Sequence, residues 1–422
     1  MKKGAFIFLT FLTSLTVFGQ DITGQWNGIL KVQGIQLRIV FHISKMDNSY
    51  SATMDSPDQG AKGIPVTTTS FDHSILQLAV TIAQIEYRGT LDKDNVIIGN
   101  FMQAGHSFQM NLTRGQIDIE NAISVPITKD TNFVETQVIL QTKTGQIFGT
   151  LTTPKEFTII PVTLIIAGSG PTDRDCNNPM MKCDAYKKLA YGLAENTIAS
   201  LRFDKRGIAE SKAAGKNESD LRFENYVNDA KEWIQFLKQD KRFSKVIVIG
   251  HSEGSLIGMI AANTADKFIS IAGVGQSADK TIKEQLSAQP QEFLDLCYPI
   301  IDSLTKGKTV DNVNPKINYL FRPSVQPYLI SWFKYDPQSE IQKLTIPILI
   351  IQGTHDIQVS VEDAKRLLKA NPKAQLILID KMNHILRSID GDRQANIATY
   401  NNASLPLADE LVKDITSFIL IH

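Results

Sequence analysis

The segment GHSEG at residues 250–254 places a serine between two glycines. The residues before it, Val246–Ile249, are all apolar and β-branched, which is typical of a buried strand. The apolar run Leu256–Ala262 behind it is typical of a buried helix. A serine on a sharp turn between such a strand and helix is lifted above the sheet, where a base can reach its hydroxyl. Glycines suit this turn because its backbone is strained and closely packed. The sequence therefore predicts Ser252 as a nucleophile; an ordinary glycine-rich turn is the alternative.

Two further residues could complete a catalytic triad in the chain order serine, acid, histidine. Asp356 follows the apolar run at 346–351, and His384 follows the apolar run at 375–379. Catalytic groups of open α/β sheets gather at the carboxyl ends of the strands, which is where both residues would lie. We expect His384 to take the proton of Ser252 and Asp356 to hold the imidazole in the required tautomer. The alternative for each is a polar residue of a surface loop.

The rival residues are less well placed for these roles. His251 belongs to the turn itself, and its side chain is expected to point away from that of Ser252. His355 adjoins Asp356 and is interpreted as a loop or packing residue. Asp380 is the rival acid, but it lies too close in sequence to His384 for the usual strand-to-loop geometry.

Acyl transfer through a serine also needs donors for the negative charge of the tetrahedral intermediate. One donor is expected to be the backbone N–H of Glu253, the residue after the nucleophile. The second is expected in the glycine-rich loop at 168–171, which follows the apolar run at 162–167. We assign it to the Ser169 N–H, with the Gly170 N–H as the near alternative. The loop could also be a simple turn.

Together with GSGPTDRD at 168–175 and RFDKRG at 202–207, these motifs resemble the serine esterases of the α/β-hydrolase family. The resemblance is greatest to secreted bacterial carboxylesterases that carry a small β-rich domain ahead of the catalytic domain. It implies a mostly parallel central sheet with helices on both faces, and ester hydrolysis without identifying the acyl group or the alcohol. It also implies that Asp204 and Arg206 brace the active-site loops. Many relatives have a second glycine where this chain has Ala209, so the local turn is expected to differ.

The length of 422 residues favours two domains. Residues 21–114 contain short alternating runs separated by polar turns, which predicts a small antiparallel barrel or sandwich. In this region Trp26 is interpreted as a plug of the core rather than as part of a ligand site. The predicted organisation is a signal peptide at 1–19, the β domain at 20–115, a connector at 116–132, and the hydrolase domain at 133–422 with a cap insertion at about 277–343.

The cap insertion has no strong strand pattern and is expected to be helical. Its aromatic side chains could form an apolar substrate pocket, but most are expected to form the core of the cap itself. They are Phe293, Tyr298, Tyr319, Phe321, Tyr328, Trp332, Phe333 and Tyr335.

The first residues resemble a cleaved secretory signal, with Lys2 and Lys3 ahead of a short apolar run. We therefore expect a secreted or periplasmic protein without a stable membrane anchor after cleavage; an uncleaved anchor is the alternative.

In such a compartment Cys176 and Cys183 could form a disulfide, or they could remain free thiols. Cys297 is interpreted as a small core residue.

The charge composition of the chain bears on whether it binds nucleic acid. Lys plus Arg equals Asp plus Glu at 44 each, and there is no basic stripe, which argues against nucleic acid. No metal or organic cofactor is expected, and the expected partner is a small-molecule ester. The sequence does not indicate an oligomeric state. Two alternatives to an esterase remain open: a serine peptidase or amidase on the same scaffold, and a non-catalytic ligand-binding protein.

Overall fold

The computed structural model describes residues 21–32, 35–46, 49–57, 61–81, 85–103, 106–114, 132–178, 181–215 and 217–421. Two compact units divide them: residues 21–32 and 36–114 belong to the first, and residues 132–421 to the second. The predicted signal peptide and nearly all of the predicted connector lie outside the described residues. Among the described helices, none combines the length and apolar character needed to cross a membrane.

The first unit is built on one sheet, and every pairing whose register is described is antiparallel. Its described strands are β1 (Gly24–Val32), β2 (Ile35–Met46), β3 (Ser49–Ser56), β4 (Ala61–Pro65), β5 (Thr68–Asp72), β6 (Ile75–Val80), β7 (Ile85–Leu91), β8 (Ile97–Gln103), β9 (His106–Gln109) and β10 (Leu112–Thr113). They follow the order β4-β3-β2-β1-β10-β8-β7-β6-β5, and β9 pairs with β8. Because β5 also contacts β3, near the other end of the sheet, the sheet curls like a barrel rather than stacking as a sandwich.

Side chains of this curled sheet alternate between its core and solvent. In β7 every second residue from Ile85 to Leu91 is buried, as expected for a strand with one apolar face. Trp26 is fully buried, its indole N–H donates to the Ile22 carbonyl at 2.8 Å, and the Arg114 guanidinium lies 4.4 Å from its ring centroid. The prediction that Trp26 plugs the core is confirmed.

The second unit is built on an eight-stranded mixed sheet. Its strands are β11 (Phe133–Thr142), β12 (Gly145–Pro154), β13 (Ile160–Ile166), β16 (Ala199–Phe203), β17 (Phe243–His251), β18 (Lys267–Ile271), β19 (Ile348–Gly353) and β20 (Gln375–Ile379), while β14 (Asn177–Asn178) and β15 (Met181–Lys182) pair separately. The order is β11-β12-β16-β13-β17-β18-β19-β20. The β11–β12 hairpin is antiparallel, β12 is antiparallel to β16, and all later neighbours are parallel.

Helices cover both faces of this sheet because its central strands are apolar on both sides. The longer ones are α1 (Ala185–Glu195), α2 (Phe223–Gln239), α3 (Glu253–Ala261), α9 (Val361–Ala370) and α11 (Asp409–Leu420); α10 (Arg393–Ala398) is short. One face packs against α2, α3 and α9, and the other against α1 and α11. In β17, Val246 and Val248 face the first core, whereas Ile247 and Ile249 face the second.

The insertion between β18 and β19 is helical, as predicted. It contains α4 (Ala278–Leu286), α5 (Gln291–Thr305), α6 (Asn318–Phe321), α7 (Gln326–Trp332) and α8 (Pro337–Gln342). Most of its aromatic side chains are buried or half-buried in the core formed with α2 and α3, although Tyr319 is exposed. Cys297 is fully buried there, as predicted.

Proline favours the first position of a helix, so the sequence predicts that the last helix begins at about Pro406. This prediction is wrong. The structure begins α11 at Asp409, because Ala408 has an extended backbone with a ψ of 131° and its N–H is bonded outside the helix, to the Leu386 carbonyl at 2.9 Å.

Candidate active site

Ser252 occupies a strained turn between β17 and α3. Its φ of 56° and ψ of −122° lie outside the regions that residues with a side chain normally adopt. The flanking glycines are required sterically. A Cβ on Gly250 would lie 2.3 Å from the Gly254 carbonyl oxygen, and one on Gly254 would lie 2.3 Å from the Ile166 carbonyl oxygen. The backbone thus holds the serine at the end of β17 in one defined position.

Asp356 and His384 are hydrogen-bonded to each other. The Asp356 Oδ2 lies 2.8 Å from the His384 Nδ1, and the Asp356 Oδ1 accepts the backbone N–H groups of Gln358 and Val359. Burial alone would raise the pKa of Asp356, but the charge and hydrogen bond of His384 and these backbone donors together lower it below its ordinary value. An ionised Asp356 accepts a hydrogen bond from the Nδ1–H of a neutral His384, so the Nε2 of His384 is left without a proton and free to act as a base.

The remaining predicted groups line two neighbouring cavities. The first has a volume of about 500 Å³. It is lined by Gly168, Ser169, His251, Ser252 and His384, among other residues. Gly170, Lys205 and Glu253 line a neighbouring cavity of about 610 Å³. The structure therefore brings Ser252, His384 and Ser169 to one cavity, with Asp356 bonded to His384. The rival acid Asp380 instead accepts a hydrogen bond from Thr354 at 3.0 Å.

His251 has a role that the sequence did not reveal. It lines the same cavity as Ser252, and its ring lies 4.7 Å from the His384 ring between centroids. Its Nε2 donates to the His384 carbonyl at 2.8 Å, and its Nδ1 accepts from the Tyr186 hydroxyl at 2.8 Å. The Tyr186 hydroxyl in turn accepts the Gly168 N–H at 3.1 Å. This series of hydrogen bonds connects His384 to the glycine-rich loop.

Burial fixes the charge state of His251 as well as its position. Desolvation lowers the pKa of His251 to about 3, and the charge of the neighbouring His384 acts in the same direction, whereas the hydrogen bond to the His384 carbonyl opposes the shift. The imidazole is therefore neutral near pH 7, consistent with one nitrogen donating and the other accepting. No sequence signal identified this role, because Tyr186 lies 65 residues away.

Asp204 and Arg206 form two separate buried contacts behind the loops. Asp204 accepts the backbone N–H of Arg174 at 2.8 Å and its guanidinium at 2.5 Å. Arg206 binds Asp229 through two nitrogens, at 2.5 and 3.1 Å. Burial raises the pKa of Asp229 to about 6, although Arg206 opposes that shift. Both contacts join segments far apart in the chain, as expected of residues that brace loops.

The order of strands and loops now specifies the fold. Counted from β11, the eight strands of the sheet follow the order 1-2-4-3-5-6-7-8, and the turn with Ser252 follows the fifth. Asp356 follows the seventh strand and His384 the eighth. The larger unit has the α/β-hydrolase fold. The fold expected from the sequence is confirmed, including the smaller β-rich unit that precedes it.

Comparisons with known proteins agree with this fold. A family model described as serine aminopeptidase, S33, matches residues 180–326. Esterase EstD of Thermotoga maritima is 29% identical over 259 residues, which is 58% of this chain and 58% of that protein. The chain thus spans less than two thirds of the length of this curated relative. The chain resembles bacterial serine esterases of the α/β-hydrolase family.

Solved structures of hydrolases also match the chain. Est1E from Butyrivibrio proteoclasticus is 16% identical, with 67% of this chain and 97% of Est1E covered and a TM-score of 0.43. The Pyrococcus furiosus esterase is 14% identical, with 69% of this chain and 92% of that chain covered and a TM-score of 0.44.

Two cysteines, Cys176 and Cys183, lie close to the site. Cys176 and Cys183 are free and buried, and the Cys183 thiol donates to the Cys176 carbonyl at 3.0 Å. Of the two arrangements left open by the sequence, the structure has the free thiols. Among the described residues, no group of three or more His, Cys, Asp or Glu side chains could hold a metal ion.

Proposed function

We propose that this protein is a serine hydrolase that cleaves carboxylic esters through an acyl-Ser252 intermediate. The observation that carries the proposal is the hydrogen bond of Asp356 to His384 beside a cavity that also contains Ser252 on its strained turn. The similarity to Esterase EstD supports ester bonds as the target.

In the proposed acylation step, the Ser252 Oγ attacks the ester carbonyl carbon while its proton passes to the His384 Nε2. Asp356 stabilises the resulting imidazolium and keeps Nδ1 protonated. The carbonyl oxygen becomes an oxyanion that accepts hydrogen bonds from the backbone N–H groups of Glu253 and Ser169. When the intermediate collapses, the bond to the alcohol breaks and His384 returns the proton to the leaving oxygen.

Deacylation repeats these steps with water as the nucleophile. His384 takes one proton from the water, the hydroxyl adds to the acyl carbon, and the same donors hold the second oxyanion. Collapse releases the carboxylic acid and returns the proton to Ser252. Every group that this cycle requires belongs to the larger unit.

The test is hydrolysis of a series of p-nitrophenyl acyl esters alongside aminoacyl p-nitroanilides, by the wild type and by Ser252→Ala. We expect ester turnover that the substitution abolishes, and the best acyl length reports the size of the cavity. Turnover that survives in Ser252→Ala would contradict Ser252 as the nucleophile. No turnover of any substrate would favour a ligand-binding protein.

A serine peptidase is the second candidate, and one observation favours it. The family model that matches residues 180–326 is described as serine aminopeptidase, S33. The same nucleophile, base and oxyanion donors can cleave an amide, provided that His384 protonates the leaving amine. Turnover of the anilides without turnover of the esters would establish this candidate.

We further propose that the chain is exported and that its signal is cleaved near Gly19, leaving no membrane anchor. The support is the basic and apolar sequence of residues 1–18. Expression of the full chain in a bacterium, followed by fractionation and N-terminal sequencing, tests this. A mature chain in the periplasm or medium that begins near Gln20 is expected, whereas an intact N-terminus in the membrane fraction would contradict it.

A further inference from the structure

Lys205 is a buried cation that the sequence did not single out. It follows Asp204 in the RFDKRG segment, and its relative exposure is only 2%. Its Nζ donates to the Gly168 carbonyl at 2.5 Å and lies 3.6 Å from the Glu253 Oε2. It also lies 5.1 Å from the centroid of the Tyr226 ring. Both of its polar partners therefore come from segments that carry a predicted oxyanion donor.

The contact of Lys205 with the Gly168 carbonyl fixes the direction of the Ser169 N–H. The carbonyl of Gly168 and the N–H of Ser169 belong to the same peptide unit, and in a trans peptide the two groups point in opposite directions. A lysine that holds the carbonyl on one side therefore directs the Ser169 N–H to the other side. Lys205 lines the neighbouring cavity, whereas Ser169 lines the cavity of Ser252, as this geometry requires.

The position of this peptide next to the nucleophile is equally restricted. A Cβ on Gly168 would lie 3.1 Å from the Ser252 Cβ, so the peptide approaches the nucleophile as closely as a glycine allows. The Gly168 N–H is bonded to Tyr186. With its N–H and its carbonyl both held, Gly168 has little freedom to rotate the peptide that follows it.

The contact with Glu253 explains how a cation is retained at this depth. Burial lowers the pKa of Lys205, and the Glu253 carboxylate opposes that shift. Glu253 also accepts a hydrogen bond from the Tyr328 hydroxyl of α7. Since the backbone N–H of Glu253 is the other predicted donor, one lysine contacts both halves of the oxyanion hole.

We propose that Lys205 is a positioning residue, which holds the Gly168–Ser169 peptide so that the Ser169 N–H, rather than that of Gly170, is the second oxyanion donor. The inference rests on the proposed serine chemistry at Ser252. Lys205 contacts no reacting atom and acts through the peptide that it holds.

The first test is the rate at which an alkyl fluorophosphonate modifies Ser252, followed by intact-protein mass spectrometry. The Ser252 Oγ forms a bond to phosphorus, fluoride leaves, the proton goes to His384, and the phosphoryl oxygen enters the oxyanion hole. Lys205→Met should slow this reaction about 10- to 100-fold, somewhat less than the 10²–10³-fold cost of losing a whole donor. Lys212→Met is the matched control, because Lys212 lines the same cavity as Lys205 but is exposed. It should react at the wild-type rate.

Ester kinetics separate positioning from a merely structural role. For Lys205→Met we expect kcat to fall by the same factor as the labelling rate, with KM within about twofold, since the lost interaction acts mainly in the transition state. Lys205→Gln keeps a hydrogen-bond donor without the charge and should recover part of both rates. It also provides the test if Lys205→Met does not fold, as judged by circular dichroism.

The labelling rates and the ester kinetics together decide whether Lys205 is a positioning residue. Equal labelling rates for folded Lys205→Met and the wild type would overturn it, as would a loss confined to KM. If the wild type hydrolyses no ester but its Ser252 is labelled, the proposed function fails while the labelling rates still decide the role of Lys205. If Ser252 of the wild type is not labelled at all, both proposals fail.

Discussion

The two sheets of this protein place their polar groups differently. In the curled sheet of the first unit, strands such as β7 bury every second side chain, and the buried Tyr87 hydroxyl lies within hydrogen-bonding distance of two backbone carbonyl oxygens, those of Ile97 and Met110. In the mixed sheet of the second unit, β16 and β18 are buried at every residue. In an antiparallel sheet, neighbouring strands have their carboxyl ends at opposite edges of the sheet. In a parallel sheet, the carboxyl ends of all strands lie at the same edge. The second arrangement collects loops from distant parts of the sequence around Ser252.

This comparison predicts that activity and stability respond to different residues. Substitutions at the carboxyl edge of the mixed sheet should remove turnover from a folded protein. Substitutions in the core of the curled sheet should lower stability and leave turnover per folded molecule unchanged.

The largest effect is expected for Asp356→Asn. An amide in place of the carboxylate favours the wrong tautomer of His384, which should lower kcat about 10⁴-fold. The measurement is steady-state hydrolysis of p-nitrophenyl acetate, with circular dichroism to verify folding. Asp380→Asn is the matched control, because Asp380 lies in the adjacent loop and accepts from Thr354. A large loss in the control and none in Asp356→Asn would reverse the assignment of the acid.

Trp26→Ala should produce the largest loss of stability. Removing this fully buried ring creates a cavity and should lower the free energy of unfolding of the first unit by about 3–5 kcal/mol. Denaturant unfolding measures the loss, and kcat/KM of the native protein should stay at the wild-type value. The same sheet provides a control in Ile98→Ala, where the side chain is half exposed and the cost should stay below about 1 kcal/mol. A fall in kcat/KM for Trp26→Ala would contradict the prediction that the core of the first unit affects stability and not turnover.

His251 should make stability depend on pH. Its folded pKa of about 3 lies below the unfolded value near 6.5, so the unfolded chain binds a proton first as the pH falls. The stability contributed by neutral His251 is complete above pH 6.5 and is lost as the pH falls towards 3. The slope is at most about 1.4 kcal/mol per pH unit.

His251→Gln should therefore flatten the dependence of unfolding free energy on pH between 6.5 and 4. Denaturant titrations at several pH values provide the measurement. The same replacement at His355, which is partly exposed, should keep the wild-type slope. Parallel slopes for His251→Gln and the wild type would contradict a buried neutral imidazole.

The smallest effect concerns the cysteines, which all lie in the second unit. All three are buried and free, so a thiol reagent should modify them slowly in the native protein. After unfolding without reductant, three thiols per chain should react. A single reactive thiol would instead indicate a disulfide between Cys176 and Cys183.

Much of the larger unit could be predicted from the sequence because its central strands are unbroken apolar runs. The runs at 246–249, 346–351 and 375–379 correspond to β17, β19 and β20, and their positions led to the prediction that Ser252, Asp356 and His384 lie at one edge. The hydrogen bond of His384 to Asp356 rather than Asp380 matches the expected strand-to-loop geometry. The sequence also indicated the helical insertion, which lacks any alternating pattern.

The contacts that hold these residues could not be predicted in the same way. His251 bonds to Tyr186 across 65 residues, and Lys205 bonds to Gly168 across 37. Nothing in the local pattern around a histidine or a lysine indicates which distant backbone group it meets after folding. The start of the last helix is a similar case, because nothing in the sequence around Pro406 shows that Ala408 adopts an extended backbone and delays the helix to Asp409.

The backbone of Ser252 has a practical consequence for trapping complexes. Its dihedral angles suit glycine, so Ser252→Gly removes the hydroxyl and also relieves a conformation that costs about 1–3 kcal/mol in other residues. Ser252→Ala removes the hydroxyl but keeps that strain. The glycine variant should therefore be the more durable inactive form, suited to soaking crystals with intact substrates. A protein that keeps serine at this position gives up stability that a single substitution would restore.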